Sequence, residues 1–286
     1  MPMELAVIQD RTVPLSELDS SFLDRGLFFG DGVYEVMRTY GGRLFALDEH
    51  LERLDRSLRA VWIKGVDIPA LRAQIIDAYK ETGIDNCCIY LHITRGSAPR
   101  SHAWPEGIKP NIFMMFSHIE GYEKLHRDGV KVCIAEDLRW KRCDIKSLNL
   151  LPNAMAKKFA RDKDCFEAIL KDRRGDITEG ASSAFFAVFN RMVVTRPLSN
   201  KILPSISRMF VRRAVENCGI EFAEKTLNPL QAAKADELFL AVTTKDIVGI
   251  TDFDGRPVSG GKVGRITKSL QESFAEIVKK NALKPC

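Results

Sequence analysis

Several groups in this chain carry side chains that could do chemistry together. Lys146 lies in 139–151 (RWKRCDIKSLNLL), with apolar Ile145 and Leu148 beside it and Lys141 and Arg142 just upstream. Burial and nearby positive charge both favour a neutral lysine amine. A neutral amine is the form that attacks a carbonyl carbon. Taken alone, a solvated lysine at a strand end is the commoner case. Glu179 lies in 176–183 (DITEGASS), where a carboxylate followed by Gly and Ser can point into a site from a turn; an exposed turn acid is the ordinary alternative. Arg100 and His102 lie in 94–105 (TRGSAPRSHAWP), a loop after a strand. An arginine can grip a carboxylate through two parallel hydrogen bonds, and a histidine two residues on adds a donor. A mobile surface loop fits the same residues equally well. At 203–208 (LPSISR) the amides of a helix start could hold a phosphate, and Thr243 and Thr244 end an apolar strand with two hydroxyls. Helix capping by Ser205 and plain strand-end hydroxyls are the alternatives.

The elements that must position these groups can be read from periodicity. Leu51, Leu54, Leu58 and Val61 recur at helical spacing behind a cap expected at Asp48, and a second helix runs from Pro69 to Gly83. Ile89, Leu91 and Ile93 alternate as a strand, and 111–116 is another. The polar stretch 117–124 (SHIEGYEK), with Gly121, is the candidate linker. It divides the chain into an N-terminal α+β domain over 1–118, a linker over 119–125 and a C-terminal α+β domain over 126–286. Beyond it, strands are expected over 129–135 and near 165–170, 183–189, 192–195 and 237–243. Helices are expected over 152–163, from a cap at Ser205 to about 217, and at the end of the chain, where Val263, Ile266, Leu270, Phe274 and Ile277 form an apolar stripe. Strands and helices do not alternate regularly, so two α+β domains with mixed or antiparallel sheets fit better than a doubly wound sheet.

Composition removes whole classes of function. With 45% hydrophobic and 28% charged residues, the 286-residue chain is neither disordered nor membrane-spanning by composition. The net charge of +5 comes from scattered bases set close to acids, so nucleic-acid binding is not expected. Seven cysteines, an odd number without Cys-x-x-Cys spacing, fit neither a disulfide framework nor a zinc site, and the five histidines show no paired spacing. No metal is expected. No signal peptide or apolar run of membrane-spanning length is visible, which makes a cytoplasmic setting the expectation. No G-x-G-x-x-G or G-x-x-x-x-G-K-[ST] motif opens a helix.

In combination these segments carry a resemblance. The stretch 24–39 (DRGLFFGDGVYEVMRT), the helix at 48–54 (DEHLERL), the run 139–151, Thr178-Glu179-Gly180, 236–247 (DELFLAVTTKDI) and 261–264 (GKVG) together resemble the fold-type-IV pyridoxal phosphate enzymes. The resemblance spans nearly the whole chain. It implies a two-domain α+β fold with the cofactor between the domains of a homodimer. It implies Lys146 as the Schiff-base lysine and the catalytic residue, and Glu179 as the partner of the pyridine nitrogen. It also implies Arg53, Ile206, Ser207, Thr243 and Thr244 as phosphate ligands. Within the family the chain looks most like D-amino acid aminotransferases, through Tyr34 in V-Y-E-V, Arg100 and His102 in R-G-x-x-P-R-x-H, and C-D-I-K-S-L-N-L-L at 143–151. In those enzymes the corresponding Tyr, Arg and His hold the substrate α-carboxylate, the last two reaching in from the neighbouring subunit. The implied reaction is ping-pong transamination between a D-amino acid such as D-alanine and 2-oxoglutarate or pyruvate. An L-branched-chain aminotransferase, an (R)-amine transaminase and an aminodeoxychorismate-type lyase are the alternatives on the same fold. Two departures stand out: Ala184 where many relatives carry Asn, and Pro204-Ser205 where a Lys-Gly pair would be expected.

Overall fold

The computed structural model describes residues 4–282; Cys286, the last of the seven cysteines, lies outside them. The N-terminal half contains β1 (Leu5–Ile8), β2 (Arg11–Pro14), α1 (Arg25–Phe29), β3 (Gly32–Tyr40), β4 (Arg43–Phe45), α2 (Leu47–Ala60), α3 (Ile68–Thr82), β5 (Cys87–Thr94) and β6 (Asn111–His118). The remainder contains α4 (Glu123–Asp128), β7 (Val130–Glu136), α5 (Leu151–Asp162), β8 (Glu167–Lys171), β9 (Ile177–Gly180), β10 (Ala184–Phe189), β11 (Met192–Thr195) and α6 (Ile206–Asn217). It ends with β12 (Glu221–Glu224), α7 (Pro229–Ala232), β13 (Glu237–Val242), β14 (Asp246–Phe253), β15 (Arg256–Pro257) and α8 (Arg265–Asn281).

Two sheets organise these elements, besides the β1–β2 hairpin. The smaller is antiparallel in the order β4-β3-β5-β6. The larger runs β12-β11-β10-β13-β14-β7-β8-β9, with β15 beside β14, and mixes parallel pairs (β11–β12, β14–β7, β7–β8) with antiparallel ones. The α+β class with mixed and antiparallel sheets is therefore what the chain adopts.

On α2, Leu47, Leu51, Leu54 and Leu58 form a buried stripe that packs on β3 and β5, together with Leu71, Ile75 and Tyr79 of α3. The cap expected at Asp48 is not there. The cap is Ala46, in a left-handed conformation, so the helix begins two residues earlier, and Asp48 sits in the first turn, where its charge favours the helix dipole. Asp67 caps α3, and Gly83 ends it at φ +64°, a conformation that favours glycine. In the larger half, α6 and α8 bury Phe210, Val211, Leu270 and Phe274 against β10 and β13. Phe45, just before α2, joins this second core, its ring 4.5 Å from that of Phe210. The two halves thus share an apolar seam. β6 extends to His118 and α4 starts at Glu123, so only 119–122 of the expected linker lie between regular elements.

Candidate active site

A cavity of about 450 Å³ lies between the two sheets, and Tyr34, Arg53, Lys146, Glu179, Thr243 and Thr244 all line it. Lys146 belongs to no helix or strand, yet its backbone is fixed. Its carbonyl accepts from the Tyr34 amide at 2.9 Å, and the Leu148 amide donates to the Gly32 carbonyl at 3.0 Å, so the segment runs along the free edge of β3. This close approach requires glycine at 32: a Cβ there would lie 2.7 Å from both the Leu148 side chain and the Ile93 carbonyl. Ile145 is buried in the core beneath β3 and Ser147 is also buried, which leaves the side chain between them turned to the cavity. The Lys146 ammonium sits 4.1 Å from the centre of the Tyr34 ring. Lys141 and Arg142 are exposed, and Arg142 pairs with Asp144.

Glu179 is in β9, not in a turn as the sequence suggested; β9 is buried along its length, and its pairing with β8 breaks register opposite Leu170. That irregularity aims a carboxylate inward from a strand. The Glu179 carboxylate accepts from Arg139 at 2.5 Å and from the Leu203 amide at 3.0 Å. Arg139 is shared, because it also donates to Asp137 at 2.8 Å. Burial pushes the Glu179 carboxyl above its ordinary range, and Arg139 and the Leu203 amide offset this only in part. Nearby, Ala184 opens β10 and lines the same cavity.

A second buried carboxylate, Glu35, points from β3 to α2. Its oxygens take both the Nε and a terminal nitrogen of Arg53, at 2.7 and 2.6 Å, and the Nδ1–H of His50 at 2.7 Å. Burial by itself would raise its pKa, but the charge and hydrogen bonds of Arg53, with the His50 bond, bring it down to about 2. Burial pushes His50 below its ordinary range, so it serves as a neutral donor near pH 7. The remaining Arg53 nitrogen donates to the Pro204 carbonyl at 3.2 Å, which ties the arginine to the start of α6. Ser205 caps that helix through its bond from the Arg208 amide. The amides of Ile206 and Ser207, in the first turn, have no intrahelical carbonyl to bond. The Ile206 and Ser207 side chains are buried; Ser205, Thr243 and Thr244 reach the cavity wall.

Arg100 and His102 are not brought to this cavity within one chain. Both are exposed on the loop after β5, packed on Phe29. Three residues matter here that the sequence reading passed over: Glu35, His50 and Arg139. The first two carried a signal. His50 and Arg53 stand three residues apart on α2, flanked by its leucines, and that face meets an acid in β3. Arg139 lies in irregular backbone, and no local pattern marks it.

The donor set suits pyridoxal phosphate. An amine serves an aldehyde, a buried carboxylate short of positive charge serves a protonated ring nitrogen, and an arginine beside a helix start and two threonines serves a phosphate. Among the described residues no group of three or more His, Cys, Asp or Glu side chains could hold a metal, and no helix is long and apolar enough to cross a membrane.

Comparison with known proteins agrees with this chemistry. The family described as amino-transferase class IV matches residues 32–253. D-alanine aminotransferase of Bacillus licheniformis is 39% identical over 268 residues, covering 92% of this chain and 93% of that protein. The Staphylococcus aureus (strain COL) D-alanine aminotransferase is 36% identical, covering 98% of this chain and all of that protein. Among solved structures, the branched-chain amino acid aminotransferase of Escherichia coli superposes with a TM-score of 0.85 at 23% identity, over 94% of this chain and 92% of that one. This last likeness is one of fold.

Proposed function

We propose that this chain, which belongs to the class IV aminotransferases and is a pyridoxal phosphate-dependent aminotransferase, moves the amino group of a D-amino acid such as D-alanine to a 2-oxo acid. The observation that carries the reading is the single cavity in which Lys146, Tyr34 and the buried Glu179 meet. The choice of D-amino acids is supported by the likeness to D-alanine aminotransferases over nearly the whole chain. The likeness to branched-chain enzymes is at the level of fold.

When bound, pyridoxal phosphate supplies an aldehyde that takes up amino groups and a protonated ring that withdraws electrons. In this reading Lys146 holds the cofactor in the resting enzyme. Its Nζ would serve as the general base for the substrate α-proton and as the general acid that gives it back. Glu179 keeps the ring nitrogen protonated, and Arg139 and the Leu203 amide orient it. Arg53, held by Glu35, binds the phosphate with the Ile206 and Ser207 amides and the Thr243 and Thr244 hydroxyls. Tyr34 lies at the amine end, where the substrate enters. Arg100 and His102 grip the α-carboxylate from a second copy of the chain, so the working unit is a homodimer; both are exposed and neither lines the cavity of its own chain, which supports this. The division into domains over 1–118 and 126–286 fits the placement of the cavity between the two sheets. The described cysteines are all free, which supports a reducing, cytoplasmic setting.

The test is a half-reaction screen. Purified holoenzyme mixed with single D- and L-amino acids should convert its cofactor to the amine form with D-alanine and not with L-leucine, followed by absorbance. Lys146→Ala should bind the cofactor and fail to turn over. Conversion by L-leucine alone, or wild-type turnover in Lys146→Ala, contradicts the reading.

A further inference from the structure

We propose that Arg25 and Phe29, the first and last residues of α1, are positioning residues for substrate recognition. Together they set the Arg100–His102 segment in the conformation that meets a carboxylate. The inference rests on the reading that Arg100 and His102 bind that carboxylate, and it extends the site to a helix outside the cavity.

Arg25 is only 2% exposed, and each of its guanidinium nitrogens is engaged. Nε donates to Asp31 at 2.8 Å, one terminal nitrogen to the Ser101 carbonyl at 2.6 Å and the other to the His102 carbonyl at 3.0 Å. Two successive carbonyls held by one rigid fork fix the orientation of the peptide that joins Ser101 to His102. One helical turn on, Phe29 shares the face of Arg25. Its ring is a platform: the Arg100 guanidinium lies 5.3 Å from its centre, the Arg25 guanidinium 4.7 Å, and the His102 ring 5.4 Å. Backbone and side chains of the segment are thus held from one short helix.

The helix is itself anchored. Asp24 caps it and also takes the Thr94 hydroxyl at 2.8 Å, while the Arg25 amide donates to the Gly96 carbonyl at 2.9 Å. Asp31 bridges Arg25 to Arg95, which donates to both its oxygens at 2.8 and 2.9 Å. Burial alone would raise the Asp31 carboxyl, but the bonds and charges of Arg95 and Arg25 outweigh it and hold the group below its ordinary range. Arg95 in turn stacks on Trp104 at 3.8 Å, so the loop is pinned beyond His102 as well. An exposed loop without regular structure would otherwise pay the entropy of ordering Arg100 and His102 each time a substrate bound.

The experiment uses the dimeric holoenzyme, with D-alanine and 2-oxoglutarate as substrates. Propionate serves as an unreactive carboxylate whose binding is read from the cofactor absorbance. Phe29→Leu, which keeps an apolar residue at that position, should raise KM for D-alanine and Kd for propionate by about tenfold while kcat changes little. Arg25→Lys should shift both in the same direction. In an Arg100→Ala/His102→Ala background, Phe29→Leu should add nothing, because a platform without its load has no effect. Two results overturn the proposal: no change in KM and Kd for Phe29→Leu when the Arg100→Ala/His102→Ala enzyme shows a rise in both, or an equal effect of Phe29→Leu in both backgrounds. If the Arg100→Ala/His102→Ala enzyme itself binds D-alanine and propionate normally, the carboxylate reading fails, and the positioning role fails with it.

Discussion

Two glutamates, Glu35 and Glu179, are both buried, and both accept hydrogen bonds from an arginine, yet their carboxyls are shifted in opposite directions. Glu35 is held to about 2, because Arg53 gives it two donors and a full charge and His50 gives it a third donor. Glu179 is raised by burial, which its partners offset only in part: its arginine is divided with Asp137, and its other partner is a single backbone amide. Around Glu35 the charges close at neutrality within the protein. Around Glu179, two carboxylates share one guanidinium, and Glu179 itself lines the cavity. The difference separates a carboxylate that organises the protein from one left to receive a cation from outside it. A protonated ring nitrogen is such a cation.

The largest effect expected from this contrast is on Glu35. Glu35→Gln would leave the Arg53 guanidinium buried without its counter-charge, and breaking such a pair costs about 3–5 kcal/mol. Chemical denaturation of the cofactor-free protein should show that loss; a variant as stable as wild type would mean that the pair contributes nothing to the fold. Glu179→Gln should do the reverse. It removes a charge that burial disfavours, so the cofactor-free protein should keep its stability or gain slightly. Turnover by the holoenzyme should fall by roughly 10²–10³-fold, the scale for losing one preorganised electrostatic partner of a transition state. Steady-state kinetics beside the denaturation curves would decide this, and full activity in Glu179→Gln would erase the distinction between the two residues.

A smaller and graded effect follows from pH. Glu35 has a folded-state pKa below its unfolded value of about 4.5, so its contribution is complete above that value. It is lost as pH falls from about 4.5 through about 2. Glu179 is shifted upward, so its protonation favours the folded cofactor-free protein as pH falls through its raised pKa. Comparing acid-denaturation profiles, the Glu35→Gln protein should lose stability less steeply than wild type on going from about pH 4.5 toward pH 2, because Asp31 and Asp137 still titrate there, whereas Glu179→Gln should keep the wild-type steepness. Superimposable profiles for the two variants would contradict the assignment of opposite shifts.

Much of this architecture is legible without coordinates. The leucine stripe of α2, the glycine stop of α3, the Ser205 cap of α6 and the apolar face of α8 are local periodicities, and each is where the pattern put it. Local rules failed where long-range contact decides. Asp48 looked like a cap, but β4 leads into α2 through a left-handed Ala46, which starts the helix two residues earlier. Glu179 looked like a turn acid, because polar residues flank it; pairing with β8 makes it a strand residue buried on both sides.

The sequence by itself determined which groups are present: a lysine beside apolar Ile145, an acid followed by Gly and Ser, an arginine on an amphipathic helix, and threonines at a strand end. Their types and order were enough to name a chemistry and a family. Only the tertiary structure decided which of them share a charge balance. Arg53 is 18 residues from Glu35, Arg139 is 40 from Glu179, and Arg25 is 76 from the carbonyl of Ser101. Electrostatic state depends on distance through space and on burial, and neither is written in the local pattern of a chain.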